Sequence, residues 1–505
     1  MKAVILAGGF GVRFRPLTFS KPKPMIPLLD KPLVEHIIDY LGKHGVDEIF
    51  ITTNYMREQI VDYVGFERNG IKIRYPEEKE PLGTAGSVKN IASELDDTFI
   101  VMQGDTITDI NLSGLVKDHK FYGGLCTIAL KTMEEPWNYG VVEMGDSGRV
   151  KRFVEKPLVE ECASNLVNTG IYVLEPEALE FIPSGVFFDF AKDLFPRLVE
   201  RESIYASKFE SFWVDVGRPE GYMLARDWII GNMKNFISPS AVVGGRIHGP
   251  VFIGDNAVLK NRCEVFGPVF IGNDTVIEEN CIIGPRTVVG PGIKIREYNV
   301  IQGGVFFENS DVGSNELIGN SLIGENCFIG NGNRIQSDVI IGSNVVLEGY
   351  VSVVSGSRIW PNIKITENSL VSGTIRKFVP AKERYTEPIW SLRDVTADEA
   401  FYFNKNEGNH ILFTGLRAKS LLEFNDLLHD VENLSLKYHI RGDVNDFSEW
   451  FKRVIGDAKL AEEFESIKKE FSFSPFDDMV LRRKMLETTK TRLGELIQYA
   501  LKEQK

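Results

Sequence analysis

The chain has 505 residues, with 58 Lys+Arg against 71 Asp+Glu, a formal net charge of −13. Its length predicts about three domains, and 43% hydrophobic with 26% charged residues excludes wholesale disorder. The acidic balance argues against nucleic acid as the main partner, and no apolar run approaches the ~20 residues of a membrane helix.

Five cysteines form no CxxC pair, which argues against a disulfide scaffold or a zinc site and fits a reducing cytoplasm. One local exception stands out: residues 1–29 carry five basic side chains and no acidic one.

Residues 1–235 alternate short apolar runs with helix-period segments. Lys2–Leu6 reads as a strand. Leu33, Val34, Ile37, Ile38 and Leu41 share one helical face that Gly45 closes. Further strands are predicted at 49–53 and at Phe99–Gln103. Apolar strands between amphipathic helices predict an α/β domain with a parallel sheet covered on both faces. Such sheets bind ligands beyond the carboxyl ends of their strands.

From 237 to 375 the pattern is a series of Ile/Val-Gly steps. They begin at Ile253, Ile271, Ile283, Val289, Ile323, Ile329 and Ile341, with separations of 18, 12, 6, 34, 6 and 12. A six-residue period predicts a three-sided parallel β-helix with 18 residues per coil. The step of 34 breaks the period and predicts a bulge or inserted loop near 302–319. Cys263 and Cys281, 18 apart, are expected to stack on successive coils as core. Residues 376–395, with Pro380 and Pro388, read as a linker.

Residues 396–505 then read as a small helical domain. Thr396-Ala397-Asp398-Glu399 and Ser420-Leu421-Leu422-Glu423 both have capping-box spacing. Leu421, Phe424, Leu427 and Leu428 form an apolar stripe after the second. The 17 basic and 20 acidic residues are well mixed, and His410, His429 and His439 lack a ligand spacing.

The first strand-to-helix turn carries the strongest chemical signal. It runs Leu6-Ala7-Gly8-Gly9-Phe10-Gly11-Val12-Arg13-Phe14-Arg15-Pro16-Leu17-Thr18, followed by Lys21-Pro22-Lys23-Pro24. Glycines let backbone N–H groups approach an anion closely. Arg13 and Lys23 add full positive charge, and Arg13 can donate to phosphate in bidentate fashion. A triphosphate is the expected ligand, although the spacing is neither a Walker A loop nor GxGxxG.

This segment resembles the LAGGxGTRLxPLT signature of sugar-1-phosphate nucleotidyltransferases, with Val12 in place of Thr and Phe14 in place of Leu. The resemblance extends over the repeats, which are similar to the hexapeptide-repeat, left-handed β-helix family. It implies a Rossmann-like nucleotidyltransferase domain (1–235), a left-handed β-helix (237–375) and a helical domain (396–505) to which it assigns no activity. By the same resemblance, Leu6, Ala7, Gly8, Gly9 and Gly11 bind nucleotide. The Glu80–Gly86 stretch resembles the base-reading loop and contributes Gly83, Thr84 and Gly86.

Gln103-Gly104-Asp105 and Trp213-Val214-Asp215-Val216-Gly217 resemble the family's two metal-binding steps, which implies Mg²⁺ on Asp105 and Asp215. Gly140, Glu155, Lys156 and Asn168 match the sugar-phosphate contacts. Arg13, Lys23 and Asp105 are the implied catalytic residues. The implied partners are a nucleoside triphosphate and a sugar 1-phosphate, with no nucleic acid or membrane and with homo-oligomers built through the β-helix.

Gly83-Thr84-Ala85-Gly86 resembles mannose-1-phosphate guanylyltransferases, which implies GTP. Glucose-1-phosphate uridylyl- or thymidylyltransfer is the alternative. A non-catalytic homologue sensing nucleotide sugars is a further reading, motivated by Val12 and Gln103. Acetyl transfer by the β-helix is disfavoured, because His248 is the sole His within 237–375.

Overall fold

The computed structural model describes every residue except 79, 377–394, 396–399, 408–409, 442–444, 472–477 and 504–505. The expected capping box at Thr396-Ala397-Asp398-Glu399 and nearly all of the expected linker lie outside the described residues. The chain divides into two compact units. One is Met1–Asn333 with Ile340–Val346 and Arg358–Ile363; the other is Arg334–Val339, Leu347–Ser357 and Lys364–Lys505.

In the first unit, Lys2–Leu6 runs parallel between Glu48–Thr52 and Phe99–Gln103. Leu6 lies level with both Thr52 and Gln103, so the loops after all three strands leave from one edge. Helix Leu33–Lys43 buries Leu33, Val34, Ile37, Ile38 and Leu41, the face its spacing predicts. The sheet is not parallel throughout. Leu166–Leu174 is antiparallel to Phe99–Gln103, and the hairpin Gly140–Met144 with Val150–Glu155 lies beyond it. The five-residue connection between the two hairpin strands cannot make a parallel crossover, so that pair must be antiparallel.

The repeats form a three-faced parallel solenoid with sheets of nine, eight and eight strands. Coils stack eighteen residues apart, as in Val251↔Val269 and Ile253↔Ile271. Polar residues such as Asn256, Asp274 and Asn280 turn the corners with positive φ, a conformation that Asn and Asp tolerate best among non-glycines.

The step of 34 has a different origin from the inserted loop expected. Val288 pairs with Val305, and Val305 with Leu322, each seventeen residues on. Two corners, 302–304 and 319–321, are each one residue short, so 34 is two residues less than a double coil. The shortened corners serve a contact with the preceding helix, Pro219–Gly231. Arg226, 2% exposed, donates from Nη1 to the Gly303 carbonyl (2.7 Å) and to Asn320 Oδ1 (3.1 Å).

Cys263 and Cys281 lie level on successive coils, buried, and each Sγ donates to a backbone carbonyl, at 2.8 and 2.9 Å. His248 faces outward beside Glu264 Oε2 (2.7 Å) and stacks on Phe266.

In the second unit, the C-terminal region is helical from Leu421. It is preceded by an antiparallel hairpin of Phe401–Glu407 with His410–Ala418. Phe401 and Phe403 are buried while Tyr402 between them is 36% exposed, the period of two that a half-buried strand requires. The cap at Ser420 forms: its Oγ accepts from Glu423 N (3.2 Å). Leu421, Phe424 and Leu428 are buried in a core with Phe447, Phe451 and Phe464.

Candidate active site

Glycine conformation sets the loop after the first strand. Gly11 has φ 60° and its carbonyl accepts from Thr18 Oγ1 at 2.8 Å. A Cβ on Gly11 would stand 2.9 Å from Thr18 Cγ2. By contrast, a Cβ on Gly8 or Gly9 would meet no protein atom within 4 Å. These two glycines therefore leave backbone open to a ligand instead of serving internal packing.

The two predicted metal carboxylates, Asp105 and Asp215, stand about 110 residues apart in the sequence and are brought together by a short sheet. Trp213–Asp215 pairs antiparallel with Thr106–Thr108, and Val216 N donates to Asp105 O at 2.8 Å. Trp213 Nε1 donates to the Thr169 carbonyl (2.8 Å) and anchors that strand. Lys23 Nζ contacts Asp105 Oδ2 and lies 4.0 Å from Asp215 Oδ1.

Burial pushes the Asp215 carboxyl up to about 6; the neighbouring Asp105 charge adds to this, and Lys23 and Arg13 oppose it. Asp215 Oδ1 is buried without a hydrogen-bond partner. Such an orphan oxygen in a shared carboxylate site fits a hard cation, since Mg²⁺ takes one or two carboxylates and completes its shell with phosphates and water.

Three adjoining cavities meet here, and Gln103 lines all of them. One of about 220 Å³ is bounded by Leu6, Ala7, Gly9, Gly11, Arg13 and Lys23, with Asp105 and Gly217. A second, of about 230 Å³, gathers Arg13, Asp105 and Asp215 with Gly140, Glu155, Lys156 and Asn168. Burial raises the Glu155 carboxyl, opposed by Lys156. A Cβ on Gly140 would stand 2.7 Å from Glu155 Oε2, so that glycine makes room for the carboxylate. Lys156 has φ 49°, a strained conformation of the kind that accumulates at functional sites. Asn168 is engaged internally, accepting from Gly170 N (2.9 Å) and donating to Tyr172 Oη (3.0 Å).

The third cavity, about 300 Å³, is lined by Gly8, Gly83 and Thr84, with Phe10, Phe187 and Glu78. Gly86 lines none of the three. Its N–H goes to the Phe188 carbonyl, and a Cβ there would meet Val186 O at 2.8 Å.

Two residues of the site carry no signal in the sequence. Asp189 lines the second and third cavities, accepts from Thr84 Oγ1 (2.9 Å) and caps the turn at Ala191 and Lys192. Glu78 has a buried Oε1 without a hydrogen-bond partner among the described residues. Neither belongs to a glycine-rich or alternating motif, so spacing does not single them out.

A nucleotidyl transferase family model matches residues 2–229, a GMPPB C-terminal domain model residues 265–375, and a family of unknown function residues 398–505. The chain is 38% identical over 355 residues to a UTP–glucose-1-phosphate uridylyltransferase of Synechocystis sp., covering 64% of this chain and 87% of that one. It is 34% identical over 364 residues to a probable mannose-1-phosphate guanylyltransferase of Arabidopsis thaliana, covering 68% and 92%. It is 32% identical over 377 residues to the mannose-1-phosphate guanylyltransferase catalytic subunit beta of Danio rerio, covering 73% and 98%.

Proposed function

Because this chain belongs to the nucleotidyl transferase family, we propose that its site takes GTP and mannose 1-phosphate and releases GDP-mannose and pyrophosphate. The observation that carries the choice of base is Glu78. Glu78 lines a cavity beside Phe10 and Phe187, rings that are 60% and 66% exposed, and one of its carboxylate oxygens is buried without a hydrogen-bond partner among the described residues. Guanine offers two adjacent N–H donors on one edge, which suit a carboxylate, and a flat face for the rings. Uracil and thymine offer one N–H between two carbonyls, which a carboxylate would repel.

A sugar-phosphate oxygen attacks the α-phosphorus in line, so two polyanions must be held together. Arg13 and the amides of the glycine loop stabilise charge on the departing pyrophosphate. Lys23 contacts the phosphates being exchanged, and Lys156 the phosphate of the sugar. Glu155, Asn168 and the Gly140 backbone orient the sugar hydroxyls. Asp105 and Asp215 would hold Mg²⁺, which when bound offsets triphosphate charge and polarises the α-phosphorus. The nucleophile is already an anion, so no side chain must act as general base.

We read residues 1–235 as the catalytic part, 237–375 as the solenoid and 396–505 as a separate helical part. A cytoplasmic homo-oligomer fits the five free cysteines and the exposed Ile282–Val300–Leu317 row on one solenoid face.

UTP with glucose 1-phosphate is the second reading, favoured by the 38% identity to the Synechocystis enzyme. The test is pyrophosphate release across a matrix of NTPs and sugar 1-phosphates, with Asp105→Asn as control. GTP and mannose 1-phosphate should turn over fastest. Preference for UTP would overturn the base assignment, and silence with every pair would favour a nucleotide-sugar sensor.

A further inference from the structure

The glycine-rich loop does not end free. Three consecutive residues just beyond it, Phe19, Ser20 and Lys21, each touch the solenoid. The Phe19 ring lies 4.5 Å from that of Trp360. Ser20 Oγ is 3.0 Å from Ser343 Oγ. Lys21 Nζ lies 2.6 Å from Glu325 Oε2 and 3.3 Å from Glu308 Oε1. The acidic pair sits seventeen residues apart, one coil to the next.

Lys21 is joined to Lys23 through Pro22, and Pro24 follows. Pro22 fixes its own φ and disfavours helical backbone at Lys21; it has φ −67° and ψ 149° and leads directly into the short 3-10 turn Lys23–Met25. Holding Lys21 therefore constrains Lys23, whose ammonium meets Asp105.

Leu17 and Leu29, on either side of the segment, share a buried cluster with Val305 and Phe307 of the solenoid, but the packing there is incomplete. A cavity of about 270 Å³ lies against the segment, lined by Lys21, Met25 and Leu29 on one side and by Phe306, Phe307 and Glu308 of the solenoid on the other. With empty space alongside, polar pins must fix what side-chain packing leaves loose.

We propose that Glu325, assisted by Glu308, is a positioning residue of the active site: through Lys21 the solenoid aims Lys23 and steadies the phosphate loop. The solenoid thereby takes part in turnover as well as in architecture. The kinetic half of this inference rests on the nucleotidyltransferase reading; the structural half does not.

The test uses the full chain with Glu325→Gln, Lys21→Glu, and the reciprocal swap Lys21→Glu/Glu325→Lys. Glu325→Gln should lower kcat about tenfold, as expected for sub-ångström misplacement of a charged group, with KM for the sugar phosphate and the melting temperature little changed. Backbone amide exchange across 9–25 should speed up at least severalfold in both single variants. The swap should restore both readouts towards wild type.

Wild-type kcat and unchanged exchange in Glu325→Gln would overturn the proposal, as would a swap no better than the single variants. If the wild-type chain turns over no NTP, the nucleotidyltransferase reading fails, while the exchange experiment still decides whether the solenoid holds the loop.

Discussion

Gly217 follows Asp215, the second predicted metal carboxylate, by two residues, and its missing side chain is a specific geometric demand of the site. A Cβ there would stand 2.7 and 2.8 Å from the two Asp215 carboxylate oxygens and 3.0 Å from Arg13 Nη2. Ordinary contact begins at 3.4 Å, so Gly217→Ala must push the carboxylate about 0.7 Å and the guanidinium about 0.4 Å. The backbone is not left-handed at this position and the atoms met are the ends of side chains. The fold can therefore accept alanine and the site cannot.

Because a 1 Å misplacement costs about 10²-fold, the expected loss in kcat is about ten- to fiftyfold, or about 1.4–2.3 kcal/mol of transition-state stabilisation. Steady-state pyrophosphate release at saturating substrates measures it. The Mg²⁺ concentration giving half-maximal rate should rise, and the melting temperature should stay nearly constant. If kcat stays within about twofold at unchanged Mg²⁺ demand, the placement of Asp215 and Arg13 does not limit turnover and the roles assigned to both are wrong.

Asp215 also predicts a pH dependence. Its folded pKa is raised to about 6, so the unfolded chain loses that proton first, and the carboxylate costs stability as pH rises from its unfolded value through 6. Asp215→Asn should raise the melting temperature at pH 8 more than at pH 4 while abolishing turnover, and wild-type activity should fall as pH drops below about 6. Glu316 behaves alike inside the solenoid: buried, with Oε2 unpartnered and its carboxyl pushed up to about 8. Glu316→Gln should leave melting unchanged near pH 4 and raise it at pH 9; equal melting at both would sink the assignment. Arg13→Ala should lower kcat more than it raises the nucleotide Kd, and an unchanged kcat would refute its leaving-group role. Arg226→Met strips partners from the Gly303 carbonyl and Asn320 Oδ1 and should destabilise by about 3 kcal/mol, read by denaturant melts.

The signature loop is legible in the sequence because its chemistry is local: glycines and cations within twenty residues state what they hold. The two aspartates are legible one at a time, but their pairing depends on a two-strand sheet joining positions about 110 residues apart. Asp189 and Glu78 are invisible because their roles come from what they face after folding. The step of 34 is visible as a defect but misleads in sign. A count along the chain registers that the period breaks, yet only stacked coils reveal two missing residues where a loop is expected. The hairpin at 401–418 shows the converse failure, since its short alternation is overshadowed by the long helical stripes that follow.

The shortened corners carry one more consequence. Coils of equal length are interchangeable, and a partner surface could slide along them by a whole repeat, about 4.8 Å, at little cost in contact. Removing one residue from each of two stacked corners gives the solenoid an address: Arg226 finds its carbonyl and amide acceptors on one particular pair of successive rungs. The repeat supplies length cheaply, and the irregularity tells the catalytic half where along that length to stand.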